Sequence, residues 1–139
     1  MAETDDAGLK RGTSISMIGT VRLSADESGG SIEVIEYVGP ATPPPHVHRE
    51  RDEVFYVTAG AFHFIVGDSE LDAPAGTLVH IARGTRHGFA TTEGAKALLI
   101  IAPAGLQGFF EELGAGLAAG RSGEDLRRSL AGRYDSEPL

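Results

Sequence analysis

Three histidines and one glutamate are spaced so that their side chains could meet at one point. His46, His48 and Glu53 lie in the segment PPPHVHRERDEVFY, and His87 lies further along in GTLVHIARGTRHGF. Residues two apart in a β-strand point to the same face, so His46 and His48 can converge. Residues 49–52 leave room for a turn that brings Glu53 alongside, and a glycine-containing turn precedes His87.

These side chains are common ligands of divalent metal ions. Imidazole and carboxylate together suit Fe, Mn, Ni, Cu or Zn, and the sequence has no cysteine that could form a thiolate site. We therefore predict one divalent metal ion held by His46, His48, Glu53 and His87. The identity of the ion stays open, because first-row ions compete for such sites.

The four residues also belong to two longer patterns. The first pattern contains Gly39, His46, His48, Glu53 and Gly60, and the second contains Gly76, Ala82, Gly84 and His87. In their spacing they resemble the two signature motifs of the cupin superfamily, with one extra residue before the first histidine. The second motif departs from the family at Ala82, where proline is usual, and at Thr91, where asparagine is frequent. The resemblance covers roughly residues 14 to 113 and extends to small bacterial single-domain cupins, many of which carry quercetin-dioxygenase-like labels.

This resemblance implies an all-β fold, a double-stranded β-helix or jelly-roll barrel with a metal ion inside its mouth. It does not imply one reaction, because cupins include dioxygenases, decarboxylases, isomerases, cyclases, sugar-binding modules and storage proteins. The leading hypothesis is an oxygenase-type enzyme that acts on a small aromatic or enolisable substrate. The alternatives are a non-redox isomerase, cyclase or lyase, and a small-molecule binding module without catalysis. In an enzyme, Glu53 either completes the metal site or acts as the general base.

Apolar side chains are predicted beside the metal ligands. Phe55 and Val57 share the strand parity of Glu53, and Phe89 shares that of His87, so all three should face the barrel interior. They could form a substrate wall or belong to the ordinary core. Tyr56 has the opposite parity and is not expected to be catalytic.

Other polar residues near the motifs favour a surface position. Arg49, Arg51 and Arg86 could hold an anionic substrate, but solvated charges are the preferred interpretation. His63 and His80 lie in alternating strands outside the motifs and are expected at the solvent or at an interface.

Three regions divide the chain: a flexible tail (1–13), a barrel (14–103) and C-terminal helices (104–139) that pack on the barrel or on a partner subunit. Within the barrel, a turn is expected over Gly67–Glu70. Alternation and turn residues predict strands over 15–23, 32–38, 54–58, 62–66, 77–81, 86–90 and 95–102.

The C-terminal region changes to a helical period. Leu106, Phe109, Phe110 and Leu113 form an apolar stripe, and a helix bearing it is expected to end at the glycines Gly114 and Gly116. Phe109 and Phe110 could form a substrate lid, but packing onto the barrel or a partner is preferred. A second helix is predicted from Glu124 to Arg133, with Ser122 as its cap, Glu124 paired with Arg128, and Leu126 and Leu130 on one side.

Length, charge and the absence of long apolar runs indicate the number of domains, the kinds of partner and the cellular location. A chain of 139 residues with a net charge of −8 fits one domain and disfavours nucleic-acid and anionic-membrane partners. No secretory signal or bilayer-length apolar run is visible, so a cytoplasmic location is expected. The resemblance also implies a homodimer, because similar cupins often dimerise through terminal strands, and the 14–24 strand is a candidate sheet edge that needs cover.

Overall fold

The computed structural model describes residues 12–139, whose strands form two antiparallel sheets around one core. The strands are β1 (Thr13–Ile15), β2 (Gly19–Leu23), β3 (Glu33–Val38), β4 (His46–Val47), β5 (Asp52–Ala59), β6 (Ala61–Val66), β7 (Ser69–Pro74), β8 (Leu78–Ile81), β9 (His87–Thr91), β10 (Lys96–Ala102) and β11 (Glu137–Pro138). The helices are α1 (Gln107–Ala118) and α2 (Gly123–Leu130). Strand order is β1-β2-β3-β10-β5-β8 in one sheet and β11-β4-β9-β6-β7 in the other. The predicted all-β jelly roll with C-terminal helices is confirmed.

The alternating pattern of the central strands places their apolar side chains in the core. Along β3, every second residue is buried, and Ile35 and Tyr37 belong to this set. Phe55 on β5 meets Phe64 on β6 with ring centroids 5.1 Å apart, so the interior contains aromatic contacts between the two sheets. Aromatic pairs at this spacing add packing energy to the burial of their surface.

The first predicted strand, 15–23, is in fact a hairpin. The backbone turns between β1 and β2, where Met17 has a φ of 66° and is 66% exposed. Met17 therefore does not continue the apolar face that Ile15 and Val21 suggested. The proposed tail 1–13 lies outside the described residues except at its end, where β1 begins at Thr13.

Two strands were not predicted. β7 replaces the end of the expected Gly67–Glu70 turn, and only Ala73 in it is buried, so its sequence carries no alternation. β7 lies at a sheet edge, and charged side chains there discourage pairing with another chain. β11 was also missed, because two residues beside β4 are too short to leave a pattern.

The helix α1 runs through Gly114 and Gly116 instead of ending there. A Cβ at Gly114 would lie 2.1 Å from the Ser16 carbonyl oxygen, and one at Gly116 would lie 2.4 Å from Leu126 Cδ2. These glycines therefore allow α1 to approach the β1–β2 turn and α2. Their role is packing, and the prediction that they terminate the helix was wrong.

A buried carboxylate fixes the start of α1 on the barrel. Glu33 on β3 is fully buried and accepts hydrogen bonds from the backbone N–H groups of Gly105, Leu106 and Gln107 at 2.8, 2.8 and 2.9 Å. An anionic acceptor at a helix N-terminus satisfies the free N–H groups and opposes the positive end of the helix dipole. In this way β3 determines where α1 crosses the barrel.

The second helix is close to its prediction. The Ser122 hydroxyl accepts from the Asp125 N–H at 3.3 Å, and Glu124 pairs with Arg128 at 2.6 Å, as expected. Leu126 and Leu130 are buried, but the helix ends at Leu130 and not at Arg133. No helix within residues 12–139 has the length and apolar character needed to span a bilayer.

Candidate metal centre

The four predicted ligands meet between the two sheets. His46 begins β4 and pairs across the sheet with His87, which begins β9, while His48 follows β4 directly. Glu53 comes from β5 in the other sheet. Their exposed fractions are 8% for His46, 4% for His48, 3% for Glu53 and 1% for His87, and one ligand atom from each lies within 4.8 Å of the others.

Backbone carbonyls orient all three imidazole rings. The Nδ1 atoms of His46, His48 and His87 lie 2.8, 2.7 and 2.8 Å from the carbonyl oxygens of Pro44, Asp135 and Thr85, respectively. A carbonyl oxygen only accepts, so each Nδ1 carries the proton and donates. Each Nε2 of a neutral ring is then free to coordinate, which is the usual outer-sphere arrangement of metal-binding histidines.

Glu53 joins the rings through one oxygen. Its Oε1 lies 3.1 Å from His87 Nε2 and 3.3 Å from His48 Nε2. Burial favours the neutral carboxyl, but the charge and hydrogen bonding of His48, followed by His87, outweigh it and lower the pKa of Glu53 well below its usual range. Glu53 is therefore a carboxylate, the form that binds a cation.

The histidines differ in their protonation. Burial and the neighbouring His87 and His48 rings lower the pKa of His46 to about 3, so His46 is neutral at physiological pH. For His48, burial opposes the charge, but Glu53 and the Asp135 carbonyl outweigh it and raise the pKa above the ordinary value. A metal ion must therefore displace a proton from this group of ligands.

The chemistry of these donors fits a divalent first-row ion. Three imidazole nitrogens and one carboxylate converge, all four side chains are buried, and the Nδ1 atom of each imidazole is hydrogen-bonded. Such a set matches imidazole- and carboxylate-preferring ions, and it does not decide among them. The cluster could hold the single ion that the sequence predicted.

A mostly apolar cavity adjoins the cluster. Its volume is about 20 Å³, room for about one water molecule, so a larger ligand requires the side chains of the wall to move. Strands β3, β5, β9 and β10, the segment around β4 and both helices contribute to its wall. The lining residues are Tyr37, Pro43, His46, His48, Glu53, Phe55, Phe89, Leu99, Phe109, Phe110, Leu113 and Arg127.

Two of the three predicted pocket residues line the cavity, and the third does not. Phe55 and Phe89 line the cavity, whereas Val57 is buried in the core away from it. Phe109 and Phe110 are buried against the barrel, as the packing interpretation held, and they also form part of the cavity wall.

Sequence reasoning missed several lining residues. Tyr37 could have been found, because it continues the inward parity of Ile35 on the 32–38 strand. Arg127 gave no signal, since it lies beside the apolar Leu126–Leu130 side of α2 and belongs to no motif. Which residue of a terminal helix reaches the mouth of a barrel depends on tertiary packing.

The arginines near the motifs serve other purposes. Arg51 is only 12% exposed at its side chain, donates to Asp135 Oδ2 at 2.8 Å and contacts the Pro103 carbonyl, so it is not the solvated charge that was expected. Arg49 is exposed and pairs with Glu137, and Arg86 is exposed. Neither they nor Arg51 lines the cavity.

Three remaining side chains lie where the sequence predicted. His63 is exposed between Asp72 and Glu70, and His80 is exposed beside Asp52. Tyr56 is also exposed, on the face of β5 opposite to Glu53.

Comparison with known proteins gives the family. The family model of the cupin domain matches residues 34–102, about half of the chain, and this stretch contains all four clustered residues. The chain belongs to the cupin superfamily. No curated protein matches the chain in sequence.

Solved structures agree on the fold. Streptomyces Pac13, a nucleoside dehydratase, has 21% identity and a TM-score of 0.53 over 61% of this chain and 68% of that chain. KdgF from Halomonas has 16% identity and a TM-score of 0.50 over 74% and 86% of the two chains. An RmlC-like cupin from Shewanella frigidimarina has 24% identity and a TM-score of 0.50 over 58% and 72%. At these identities the likeness establishes the fold alone.

Proposed function

We propose that this protein is a metal-dependent, oxygenase-type cupin enzyme that acts on a small aromatic or enolisable substrate. The observation that carries the proposal is the mostly apolar cavity where the three-histidine, one-glutamate cluster meets aromatic side chains. Phe55, Phe89 and Phe110 line this cavity, and their apolar side chains suit an apolar gas such as O₂ and, once the wall moves, a flat substrate.

In this proposal the roles of the residues follow from their contacts. His46, His48, His87 and Glu53 hold the ion, and the Pro44, Asp135 and Thr85 carbonyls keep the rings oriented. A bound divalent ion would supply Lewis-acid chemistry, and a redox-active one would also permit reaction with O₂. The aromatic wall limits access of water to the reacting end of the substrate.

Glu53 has a second proposed role as general base. Its Oε2 makes no hydrogen bond within residues 12–139, so one carboxylate oxygen remains for a substrate hydroxyl. Glu53→Gln separates this role from metal binding. If the variant keeps its metal and full turnover, Glu53 is not the base.

Oxygen consumption tests the main proposal. Protein loaded separately with Fe, Mn, Ni, Cu or Zn is given enols and catechols in an oxygen electrode, with the His48→Ala/His87→Ala variant as control. We expect substrate-dependent O₂ uptake with at least one redox-active ion and none with the control. Turnover that is unchanged under strict anaerobiosis would contradict the oxygenase proposal.

A non-redox isomerase, cyclase or lyase is the second candidate. The specific observation in its favour is that two polar residues, Tyr37 and Arg127, line the same cavity. Burial, opposed by Arg127 and reinforced by Glu53, raises the pKa of Tyr37 to about 12, so Tyr37 keeps its proton and can donate it. Pac13, which shares the fold, is a dehydratase, and O₂-independent turnover would favour this class.

We also propose a homodimer. The strand β1 is the edge of the six-stranded sheet among residues 12–139, and its unpaired side would suit a second copy of the chain. Light scattering coupled to size exclusion should give twice the chain mass. A monomer at micromolar concentration would reject this proposal without affecting the metal site.

A further inference from the structure

The cationic side chain of Arg127 lines the cavity although its helix lies outside the barrel. Arg127 on α2 lines the cavity of the metal centre and also lines a second, outer cavity formed with Pro44, Glu124, Arg128, Pro138 and Leu139. Its side chain therefore lies between the surface and the metal cluster. Residue 127 is outside the segment matched by the cupin family model, so this cation belongs to the C-terminal segment of the chain.

Arg127 makes no ion pair with another of the described residues. Most arginines of residues 12–139 pair with a carboxylate, as Arg51 does with Asp135. Among these residues, only Arg86, Arg121 and Arg127 make no ion pair, and Arg127 is the partly buried one of the three. A guanidinium withdrawn from water without a partner is costly, so a site of this kind favours an anionic ligand.

Tyr37 lines the same cavity. Its hydroxyl makes no hydrogen bond with another of the described residues, although the ring is buried against Phe89 and Phe110 at centroid distances of 5.5 and 6.4 Å. Glu53, one of the four clustered residues, lines this cavity as well. The cavity thus presents a cation, a neutral donor and the metal cluster.

Helix stabilisation does not account for this placement. A cation in the last turn of α2 would favour the negative end of the helix dipole, but Arg128 already supplies an exposed cation in that turn. Such an effect needs no burial and no contact with a cavity. The inward position of Arg127 therefore needs a different explanation.

We propose that Arg127 and the Tyr37 hydroxyl bind the carboxylate of a small substrate whose reacting end lies at the His46, His48, His87 and Glu53 cluster. A planar guanidinium fork matches a carboxylate, and the hydroxyl adds a further donor. One guanidinium balances one negative charge, whereas a phosphate dianion would bring excess charge towards Glu53. As a statement about the substrate of the metal site, this inference rests on the proposed function.

Ligand binding tests the inference without relying on turnover. The probes are trifluoroacetate and 4-fluorobenzoate, with 4-fluorobenzamide as the neutral analogue and inorganic phosphate as a competitor, all followed by ¹⁹F NMR. Each is titrated into chelator-treated and metal-loaded protein. The variants are Arg127→Gln, Arg127→Lys and Tyr37→Phe, and Arg121→Gln is the matched control that removes an exposed, unpaired arginine. Melting temperatures identify variants that fail to fold.

We expect at least one carboxylate to bind the wild type and the Arg121→Gln variant equally. Its affinity should fall about tenfold or more in Arg127→Gln, less in Arg127→Lys and Tyr37→Phe, and the amide should not distinguish the variants. Three results would overturn the inference. They are an unchanged carboxylate affinity in a folded Arg127→Gln variant, no binding of either carboxylate to the wild type, and stronger competition by phosphate than by carboxylate. Arg127-dependent binding to metal-free protein would uphold the anion site even if no metal binds, so the two proposals fail separately.

Discussion

The barrel and the C-terminal segment, residues 104–139, contribute different parts of the same site. The barrel supplies all four clustered ligands, which come from β4, the turn after it, β5 and β9. The C-terminal segment supplies no ligand atom, yet it provides Phe109, Phe110, Leu113 and Arg127 to the cavity wall. The Asp135 carbonyl also orients His48. The candidate metal ligands thus lie in the matched cupin domain, whereas part of the cavity wall comes from a segment outside it.

The first way to break this division is to lift α1 from the barrel. Gly114→Ala should lower the free energy of unfolding by about 3 kcal/mol, because its Cβ would meet the Ser16 carbonyl oxygen at 2.1 Å. Metal binding should survive in the folded fraction, since the ligands lie on the barrel. Urea unfolding measures the loss.

Gly123→Ala is the matched control for that variant. Its Cβ would lie 3.7 Å from Leu117 Cδ2, an ordinary contact, so we expect a change within about 0.5 kcal/mol. Equal effects at the two glycines would show that the close approach of α1 is not what requires Gly114.

A smaller effect is expected from removing the charge that holds the start of α1. Glu33→Gln leaves one oxygen acceptor and turns an amide donor towards three backbone N–H groups, so we expect a loss of about 2 kcal/mol. Thermal and urea unfolding measure this loss. An unchanged stability would mean that α1 is held by its apolar contacts alone.

Asp135 links the two regions most directly. Its carboxylate accepts from the N–H groups of Arg49 and Glu50 at 2.7 and 2.8 Å and from Arg51, and its carbonyl accepts from His48. Asp135→Ala should loosen this turn and weaken metal affinity by about tenfold, measured by competition with a chromogenic chelator. Asp68→Ala, at an exposed residue, serves as the control. Equal metal affinities for Asp135→Ala and Asp68→Ala would show that the C-terminal segment does not support the metal site.

The smallest predicted effect concerns the barrel site itself. The pKa of His46 is lowered to about 3 in the folded protein, whereas its ordinary value is near 6.5. When the solution pH falls below 6.5, the unfolded chain therefore binds a proton at His46 that the folded chain does not bind. Metal-free protein should therefore lose about 1 kcal/mol of stability between pH 6.5 and pH 5.5. Urea midpoints of the wild type and His46→Gln measure it, and an equal loss in both would assign the effect elsewhere.

The sequence was sufficient for the barrel and its ligands because these depend on local rules. Strand parity brings His46 and His48 to one face, and the turn residues leave only a few ways to position Glu53 and His87. The sequence was not sufficient to predict the role of Gly114. That glycine was assigned to a helix end because glycine is a poor helix former. The close contact with Ser16 that requires it joins residues distant in sequence.

The same limit applies to the cavity wall. Phe55 and Phe89 follow from the parity of their ligand-bearing strands, but Val57 on the same parity lies beyond the cavity. Parity gives the face of a residue and not its depth along the barrel. The position of Arg127 depends on how α2 packs, which no local pattern records.

The proposed metal centre requires that His46, His48, Glu53 and His87 together hold one divalent ion. Elemental analysis by mass spectrometry on untagged protein, purified without chelators, tests it most directly, with a folded His48→Ala/His87→Ala variant alongside. We predict close to one divalent ion per wild-type chain and none in the variant. A metal-free wild type that cannot be loaded with Fe, Mn, Ni, Cu or Zn, or equal metal in both proteins, would contradict the account.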